Sequence, residues 1–312
     1  MGRRNKSNCR NVNGILLLDK PAGFTSNQAL QKIKGMFRAC KAGHTGSLDP
    51  IATGLLPLCF GEATKVSQFM LDADKRYWTS IRLGVETATY DAEGEVVETR
   101  PVDVSKRDLE RALKGFEGEI EQMPPMYSAI KKDGEALYKL ARKGIEVERE
   151  PRSVAIHELK LLSYGDEVLE LEMACSKGTY VRSLAHDLGQ VLGCGAHVAE
   201  LRRLGVGDFD IEEAVGLDEL EAMSQEDRDA LLLPVDEALH DIPEVSLTSL
   251  AAHYLVQGQP VSVPHSHEPG LIRLYEEGER FLGMGEVLDD GRIAPKRLML
   301  KASEIVESEQ KA

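Results

Sequence analysis

The sequence lacks the features that would place the chain in a membrane, in a secretory pathway or among disulfide-stapled domains. No stretch of the 312 residues is long and apolar enough to span a bilayer. Residues 1–13 are polar and basic, without the apolar segment of a secretory signal. The chain has five cysteines, an odd number, and they never form a C-x-x-C pair. They are Cys9, Cys40, Cys59, Cys175 and Cys194. We therefore expect a cytoplasmic protein with reduced thiols and neither a disulfide framework nor a structural zinc site.

Motifs for nucleotide binding, serine-type catalysis and metal binding are missing too. The chain has no G-x-x-x-x-G-K segment, and Gly283-Met284-Gly285 does not extend to a G-x-G-x-x-G fingerprint. No Ser, His and Asp spacing supports a catalytic triad. His265 and His267 form an H-x-H pair, but no cysteine or third ligand lies nearby, so we interpret this segment as a polar loop. The residues therefore offer no set of metal ligands.

The overall negative charge at first argues against binding of nucleic acid, but the distribution of charge along the chain does not. The formal net charge is −14. Residues 1–80 carry 12 Lys and Arg against 5 Asp and Glu, a net charge of +7, and the remainder carries 26 against 47, a net charge of −21. Because opposite charges are segregated along the chain, the first part can bind an anionic substrate while the rest stays acidic.

The spacing of apolar residues predicts alternating helices and strands. Residues 14–21 indicate a buried strand, and the Thr25-to-Gln28 capping box starts a helix near residues 26–38. Alternation predicts strands at 74–84 and 169–175, and further helices follow Glu62, Ser105, Glu135 and Arg182. An acidic, helical connector is expected at 215–240. From Pro243 onward short apolar pieces alternate with turns, which predicts a small β-rich module over residues 243–312 after a larger domain at 1–242.

One polar loop stands out between the predicted elements, at Lys41-Ala42-Gly43-His44-Thr45-Gly46-Ser47-Leu48-Asp49-Pro50. Its glycines permit unusual backbone angles, and the proline keeps Asp49 out of the helical region. The loop thus presents its side chains rather than continuing an element. From the residues alone, Asp49 is compatible with a nucleophile, a general base, a metal ligand or a turn former.

Three other residues are candidates for the same chemistry. Arg182 lies in the first turn of a predicted helix, where the helix dipole disfavours a cation, and this suggests a specific carboxylate partner. An aspartate paired with arginine stays ionised and can act as a nucleophile on a sugar carbon. Tyr77, near the start of a strand, is compatible with core packing or with stacking on a base. Lys20 ends the first strand. Composition alone indicates a carboxylate enzyme acting on an anionic substrate.

Two basic segments are compatible with contacts to such a substrate. Residues 124–152 form a locally basic island in the acidic part of the chain, with Lys131, Lys132, Lys139, Arg142 and Lys143. We interpret this island as a loop that clamps the substrate. The arm with Arg3, Arg4, Lys6 and Arg10 is either a frayed terminus or a phosphate contact.

Six ordered segments resemble the motifs of the TruB-type tRNA pseudouridine synthases. The catalytic loop Gly43 to Pro50 matches most clearly. The others are Leu18-Asp19-Lys20-Pro21, Asp74-Lys75-Arg76-Tyr77, Pro125 to Lys131 with Leu137-Tyr138, and Ser176 to Arg182, followed by Leu201-Arg202-Arg203. The resemblance covers nearly the whole chain and departs at none of the positions that matter.

The resemblance implies a cofactor-free conversion of uridine to pseudouridine at position 55 in the tRNA T-loop. Asp49 would be the nucleophile, with attack at C1′ or at C6 of the base left open, and the uridine must flip because a stacked base is out of reach. Tyr77 would stack on the uracil and help remove the C5 proton, and Arg182 would orient Asp49. Binding and supporting roles fall to Lys20, His44, Tyr180, Leu201, Lys131, Lys132 and Arg142.

The same resemblance implies an α+β fold with a mixed, mostly antiparallel central sheet flanked by helices, followed by a small C-terminal β-rich PUA-like domain. The basic segment 124–152 favours a stand-alone bacterial enzyme, a monomer that binds the tRNA T-arm without guide RNA or membrane. Two other hypotheses remain: a guide-RNA-dependent relative that modifies rRNA, and a non-enzymatic chaperone that remodels tRNA.

Overall fold

The computed structural model describes residues 9–264 and 268–299. Some residues considered above therefore lie outside the described residues, namely Arg3, Arg4, Lys6, His265 and His267.

Eighteen strands and eight α-helices order the described residues. The strands are β1 (Gly14–Lys20), β2 (Ala42–His44), β3 (Thr53–Phe60), β4 (Lys75–Leu83), β5 (Val85–Thr87), β6 (Val96–Thr99), β7 (Gly118–Gln122), β8 (Lys131–Lys132), β9 (Glu135–Ala136), β10 (Arg152–Gly165), β11 (Val168–Cys175), β12 (Ala196–Val206), β13 (Phe209–Asp210), β14 (Val215–Gly216), β15 (Glu244–Leu247), β16 (Gly270–Glu276), β17 (Arg280–Val287) and β18 (Ile293–Leu298). The helices are α1 (Ser26–Met36), α2 (Ser67–Asp72), α3 (Lys106–Lys114), α4 (Leu137–Ala141), α5 (Val181–Leu192), α6 (Leu217–Ala222), α7 (Gln225–Ala230) and α8 (Ser249–Val256).

A ten-stranded sheet forms the body of the molecule. Its order is β14-β1-β3-β12-β4-β11-β10-β7, with β13 beside β12 and β2 beside β3. The β1–β14 and β3–β12 pairs are parallel and the others antiparallel. The predicted α+β class with a mixed, mostly antiparallel sheet flanked by helices is confirmed.

Local sequence signals explain several of these elements. The Thr25 side chain accepts from the Gln28 backbone N–H while the Gln28 side chain accepts from the Thr25 N–H, which completes the predicted capping box of α1. Gly193 ends α5 in the left-handed conformation. Along β4 the side chains of Tyr77, Thr79 and Ile81 are buried, as the alternation predicts.

The sheet is covered on both faces by apolar layers. The larger layer includes Leu30 and Ile33 of α1, Leu109 of α3 and Leu184 and Leu188 of α5. A smaller layer on the other face contains apolar residues from β1, β3, α2 and β13: Ile15, Leu17, Leu55, Cys59, Met70 and Phe209. Burial on both faces fits the continuous apolar runs in β1 and β3, because each face needs its own apolar set.

Two predicted helices differ from those observed. The helix expected from Glu62 divides into a 3₁₀ turn, Gly61–Lys65, and α2. The helix expected from Glu135 begins at Leu137 because Glu135–Ala136 pairs with Lys131–Lys132 in a hairpin. Asp133 and Gly134 both have positive φ there, as a two-residue hairpin turn requires.

The acidic stretch 215–240 is more than a connector, since β14 extends the large sheet and Leu233 bridges to Ile15. After it, β15 to β18 form a four-stranded sheet with its own core. Helix α8, which the β-rich pattern did not predict, starts where the Thr248 side chain accepts from the Ala251 N–H. Lys65 donates to the Leu298 carbonyl at 2.8 Å and ties this module to the body.

The prediction of reduced thiols is wrong for Cys9 and Cys40, which form a disulfide. Arg10 pairs with Ala39 in a parallel bridge, so the two chain segments run side by side and bring the cysteines together. An odd count without a C-x-x-C pair excludes neither a single bridge nor distant partners. Cys59, Cys175 and Cys194 are buried free thiols.

Where the structure describes the chain, its helices are too short or too polar to cross a membrane.

Candidate active site

Asp49 lies in the loop between β2 and β3, and helix α1 fixes that loop from below. The Ser26 hydroxyl donates to the Leu48 carbonyl at 3.1 Å and accepts from the Leu48 N–H at 2.7 Å. The Ala52 N–H donates to the Asp49 carbonyl at 3.1 Å. The backbone around Asp49 is therefore held on both sides, while the side chain of Asp49 keeps 38% of its surface exposed.

Gly46 is the glycine that this loop requires. Its φ is +75°, and a Cβ there would lie 3.4 Å from Nη1 of Arg203. Both the backbone angle and the space favour glycine. Gly43, which pairs with Cys59 in the β2–β3 ladder, has no positive φ.

Arg182 meets Asp49 from the start of helix α5. The guanidinium is 4% exposed, and its Nε lies 2.7 Å from Oδ2 of Asp49. Its Nη1 donates to the Thr89 carbonyl at 3.0 Å and its Nη2 to the Tyr127 carbonyl at 2.8 Å. A buried arginine with all its faces engaged cannot swing away, so the ion pair fixes the direction of the Asp49 carboxylate.

A second carboxylate, Asp91, also faces Arg182. Its side chain is 5% exposed and Oδ2 lies 3.7 Å from the Arg182 Nε. The Thr89 hydroxyl and the Glu93 N–H both donate to Asp91 Oδ1. Two carboxylates thus flank one cation, and the charge of Arg182 is more than balanced.

Burial raises the pKa of Asp49 above its usual value, and the charge of Arg182 is the strongest influence that lowers it. Asp91 raises this pKa as well, while the hydrogen bond from Arg182 and the charge of Lys20 lower it. The ionised state that a nucleophile needs therefore depends on Arg182.

Tyr77 lies on β4 beside this loop, with 9% of its surface exposed. Burial raises the pKa of its phenol, whereas the charge and a hydrogen bond of Arg203 lower it. Arg203 is the cross-strand partner of Tyr77 on β12. The charge of Asp49 also acts on the phenol, which places the tyrosine and the carboxylate in one electrostatic neighbourhood.

Arg203 itself is 1% exposed and lies under the loop. Its Nε donates to the Leu55 carbonyl at 2.7 Å and its Nη2 to the Gly46 carbonyl at 3.3 Å. A Cβ on Gly54 would come within 2.3 Å of the Arg203 carbonyl oxygen, so glycine allows β3 and β12 to approach closely. Within residues 9–264 and 268–299, no carboxylate forms an ion pair with Arg203.

Lys20 and His44 lie close enough to Arg203 for its charge to affect their pKa values. The Lys20 Nζ is fully buried and donates to the Pro21 carbonyl at 2.9 Å and the Phe24 carbonyl at 2.7 Å. Burial lowers its pKa to about 8, against the opposing charge of Asp49. Burial and then the charge of Arg203 lower the pKa of His44, so its imidazole is neutral at pH 7.

Tyr180 and Leu201 border the same region. Tyr180 precedes α5, and its backbone N–H and carbonyl bond the Gln122 side chain at 2.7 and 3.0 Å. Leu201 is 7% exposed on β12, two residues before Arg203. The tertiary structure brings Asp49, Tyr77 and Arg182 together with these supporting residues.

The basic candidates of the thumb segment, residues 124–152, lie apart from the group formed by Asp49, Tyr77 and Arg182. Lys131 and Lys132 are exposed on the hairpin, and Lys132 donates to the Glu148 carbonyl at 2.7 Å. The Arg142 guanidinium lies 5.6 Å from the centre of the Tyr138 ring. A cavity of about 270 Å³ separates the thumb from Tyr90.

Sequence reasoning missed Asp91 and Arg203. A signal existed for Asp91, because Thr89-Tyr90-Asp91 and Gly94 form a polar turn similar in composition to the Asp49 loop. Arg203 stands at an inward position of a strand, two residues after the apolar Leu201. That position predicts burial, and a buried arginine needs a structural or chemical reason.

No metal centre accompanies the site in the part of the chain that the structure describes, since no group of three or more His, Cys, Asp or Glu side chains is placed to hold an ion.

Family models match most of the chain. A model of the TruB family pseudouridylate synthase N-terminal domain matches residues 34–181. Models of the tRNA pseudouridylate synthase B C-terminal domain and of the pseudouridine synthase II TruB C-terminal region match residues 182–240 and 243–299.

Curated relatives agree with the family models. The chain is 58% identical over 294 residues to "tRNA pseudouridine synthase B" of Ectopseudomonas mendocina (strain ymp), an alignment that covers 93% of this chain and 96% of the relative. It is 50% identical to the protein of that name from Tolumonas auensis, with both chains covered completely. Among solved structures, a chain of a Cbf5-Nop10-Gar1 complex matches with a TM-score of 0.72 and 25% identity, covering 94% of this chain and 86% of that one.

Proposed function

The chain belongs to the TruB family of pseudouridylate synthases, and from that premise we propose that it isomerises uridine to pseudouridine at position 55 in the tRNA T-loop. One observation carries the proposal. A loop carboxylate, Asp49, is ion-paired at 2.7 Å to the buried Arg182 and shares its surroundings with Tyr77. A carboxylate kept ionised beside an aromatic ring is suited to attack a flipped nucleoside.

In the proposed reaction the uridine leaves its stack and enters the cleft above Asp49. The Asp49 carboxylate attacks C1′ and the N1–C1′ bond breaks, or it attacks C6 of the base; the geometry is compatible with both. The uracil then turns and bonds through C5. Arg182 keeps Asp49 directed at the nucleoside throughout, because its other nitrogens are held by backbone carbonyls.

Tyr77 stacks on the uracil and assists removal of the C5 proton, and Leu201 lines the uracil pocket. His44 enters the T-loop and holds the flipped nucleotides. Its neutral imidazole suits insertion among bases, because no charge has to be desolvated. Lys20 and Tyr180 support the residues around Asp49. The reaction requires no cofactor, since the carboxylate supplies the only covalent group.

The RNA is held from two further places in this proposal. The exposed thumb lysines Lys131 and Lys132, with Arg142, contact the T-arm phosphates. The β-rich region 243–312 acts as a PUA-like RNA-binding domain beside a catalytic domain at 1–242. We propose a monomeric, cytoplasmic, stand-alone enzyme, because the thumb supplies the substrate contacts that a guide RNA provides in other pseudouridine synthases.

The experiment is pseudouridine mapping on a T-stem-loop RNA with the full chain and no guide RNA. The wild type should modify the uridine at position 55, and Asp49→Asn should lose activity by on the order of 10⁴-fold. Asp103→Asn, exposed just before helix α3, serves as the matched control and should keep the wild-type rate. Modification at an undiminished rate by Asp49→Asn would show that Asp49 is not the nucleophile.

A tRNA-folding role is compatible with the same binding surface, because reaching the uridine requires opening of the tRNA elbow. If Asp49→Asn loses chemistry but still accelerates folding of unmodified tRNA, both roles hold. If it accelerates nothing, the protein acts as an enzyme alone.

A further inference from the structure

Arg203 carries a buried charge that no carboxylate neutralises among the described residues. The guanidinium is 1% exposed, donates to the carbonyls of Leu55 and Gly46, and belongs to the residue that pairs with Tyr77 in the β4–β12 register. A buried cation is ordinarily paired, because its desolvation is unfavourable. Packing alone does not explain it, since a neutral side chain would fill the space without that penalty.

The positive charge of Arg203 acts on other residues of the site. The charge of Arg203 disfavours protonation of both Lys20 and His44. The positive field of Arg203 that acts on Lys20 and His44 also acts on a base bound against Tyr77. In a site of low dielectric such a fixed charge acts strongly on any negative charge that develops during the reaction.

The proposed reaction moves a negative charge away from Asp49. When a carboxylate oxygen bonds to C1′, the electron pair of the N1–C1′ bond stays with the base. Asp49 becomes a neutral ester and the uracil becomes an anion delocalised over N1, O2 and O4. Attack at C6 moves the same charge onto the ring as an enolate. Bond formation between C5 and C1′ returns the charge to Asp49, and the C5 proton is then lost while N1 gains one from solvent.

We infer that Arg203 stabilises the detached uracil anion through the Tyr77 phenol, a positioning role that rests on the proposed function. Arg182 cannot supply this stabilisation, because Asp91 still neutralises it after Asp49 becomes an ester. In the proposed role the Tyr77 phenol accepts from the guanidinium, which can only donate, and Tyr77 is the β4–β12 register partner of Arg203. The positive charge beside the phenol then acts electrostatically on a base bound against the ring.

The experiment compares two substrates that differ in the acidity of the leaving base. T-stem-loop RNAs carry either uridine or 5-fluorouridine at the target position, and chromatography of the digested RNA follows loss of the starting nucleoside under single-turnover conditions. This readout is needed because pseudouridine has the mass of uridine and a C5 fluorine cannot leave as a proton. The fluorinated base is the more stable anion and needs less help. Arg203→Met should slow the uridine substrate by about 10²-fold and the fluorinated one by about tenfold or less. RNA affinity should remain within about threefold.

A matched variant separates this effect from loop damage. Ser26→Ala removes the two bonds to Leu48 without touching Arg203, and should slow both substrates by the same factor. Arg203→Lys keeps the charge and should recover most of the uridine rate even if Arg203→Met folds poorly. Equal slowing of both substrates by Arg203→Met, or failure of Arg203→Lys to recover the rate in a folded protein, would overturn the inference. A wild-type protein inactive on both RNAs would instead refute the proposed function.

Discussion

Two buried arginines flank the candidate site, and their surroundings are opposite. Arg182 lies between two carboxylates, Asp49 at 2.7 Å and Asp91 at 3.7 Å. Arg203 donates to the carbonyls of Leu55 and Gly46, and no carboxylate pairs with it among the residues described. Both side chains are almost fully inaccessible, so exposure does not account for the difference.

The comparison shows that one residue type serves two electrostatic purposes. On the Arg182 side the charge is balanced, which suits the task of directing a nucleophile that must stay ionised. On the Arg203 side the charge is left unbalanced, which suits a site where negative charge arrives only during the reaction. The two arginines belong to different elements, since Arg182 lies in the first turn of α5 and Arg203 lies on β12.

The largest effect is expected when the balanced side loses its cation. In Arg182→Met, Asp49 and Asp91 face each other without a positive charge, and the already raised pKa of Asp49 rises further. We expect single-turnover pseudouridine formation at pH 7 to fall by on the order of 10³-fold. The acid limb of the pH–rate profile should move to higher pH, because less Asp49 is ionised at any given pH.

Arg82→Met is the control for this prediction. Arg82 lies on β4, is half exposed and pairs with Glu167 on the surface. Its loss should leave the rate and the pH profile unchanged. An unshifted acid limb in Arg182→Met would mean that Arg182 does not set the ionisation of Asp49.

A smaller effect is expected from the exposed charges of the thumb, which contrast with both buried arginines. Replacing Lys131, Lys132 and Arg142 together by glutamine should weaken T-stem-loop binding by about 10- to 100-fold at low salt. The slope of log K against log salt should decrease by about 2, because fewer counterions are released. The rate at saturating RNA should change little, since no buried group is altered.

Three exposed cations of α3 offer a matched control, namely Lys106, Arg107 and Lys114. Their replacement by glutamine changes the net charge equally but should leave the salt slope near that of the wild type. A slope that responds equally to both triple variants would assign binding to overall charge and not to the thumb.

The smallest effect concerns Lys20, whose pKa is lowered in part by the nearby charge of Arg203. Its pKa is about 8 in the folded chain and 10.5 when unfolded. Between these values the unfolded chain holds a proton that the folded chain has released, so this group makes folding more favourable as pH rises. The unfolding free energy of the wild type relative to Lys20→Met should therefore increase, by on the order of 2 kcal/mol between pH 7 and 10.

Denaturant titrations at several pH values measure this difference, and Lys114→Met on the exposed face of α3 supplies the reference, with no pH-dependent difference expected. In an Arg203→Met background the increase should shrink, because the charge of Arg203 helps lower the pKa of Lys20. A difference that stays constant from pH 7 to 10 would contradict a lowered pKa of Lys20 in the folded chain.

Local signals in the sequence were sufficient for most elements and for the individual candidates. The capping box at Thr25 and Gln28, the alternation along β4 and the glycine stop at Gly193 each depend on neighbouring residues, so they can be predicted from the printed order. Glu135 was misassigned to a helix because a turn with two positive φ angles, at Asp133 and Gly134, overrode helical spacing.

The sequence by itself determined the chemical inventory: a glycine-bounded loop with Asp49, an arginine at an unfavourable helix end, a basic first part and an ordered set of family motifs. Only the tertiary structure decided which groups meet. Asp91 beside Arg182, Arg203 beside Tyr77, and Cys9 bonded to Cys40 follow from strand register and from packing between distant segments. Such contacts are set by the closure of the whole sheet, and no local propensity encodes them.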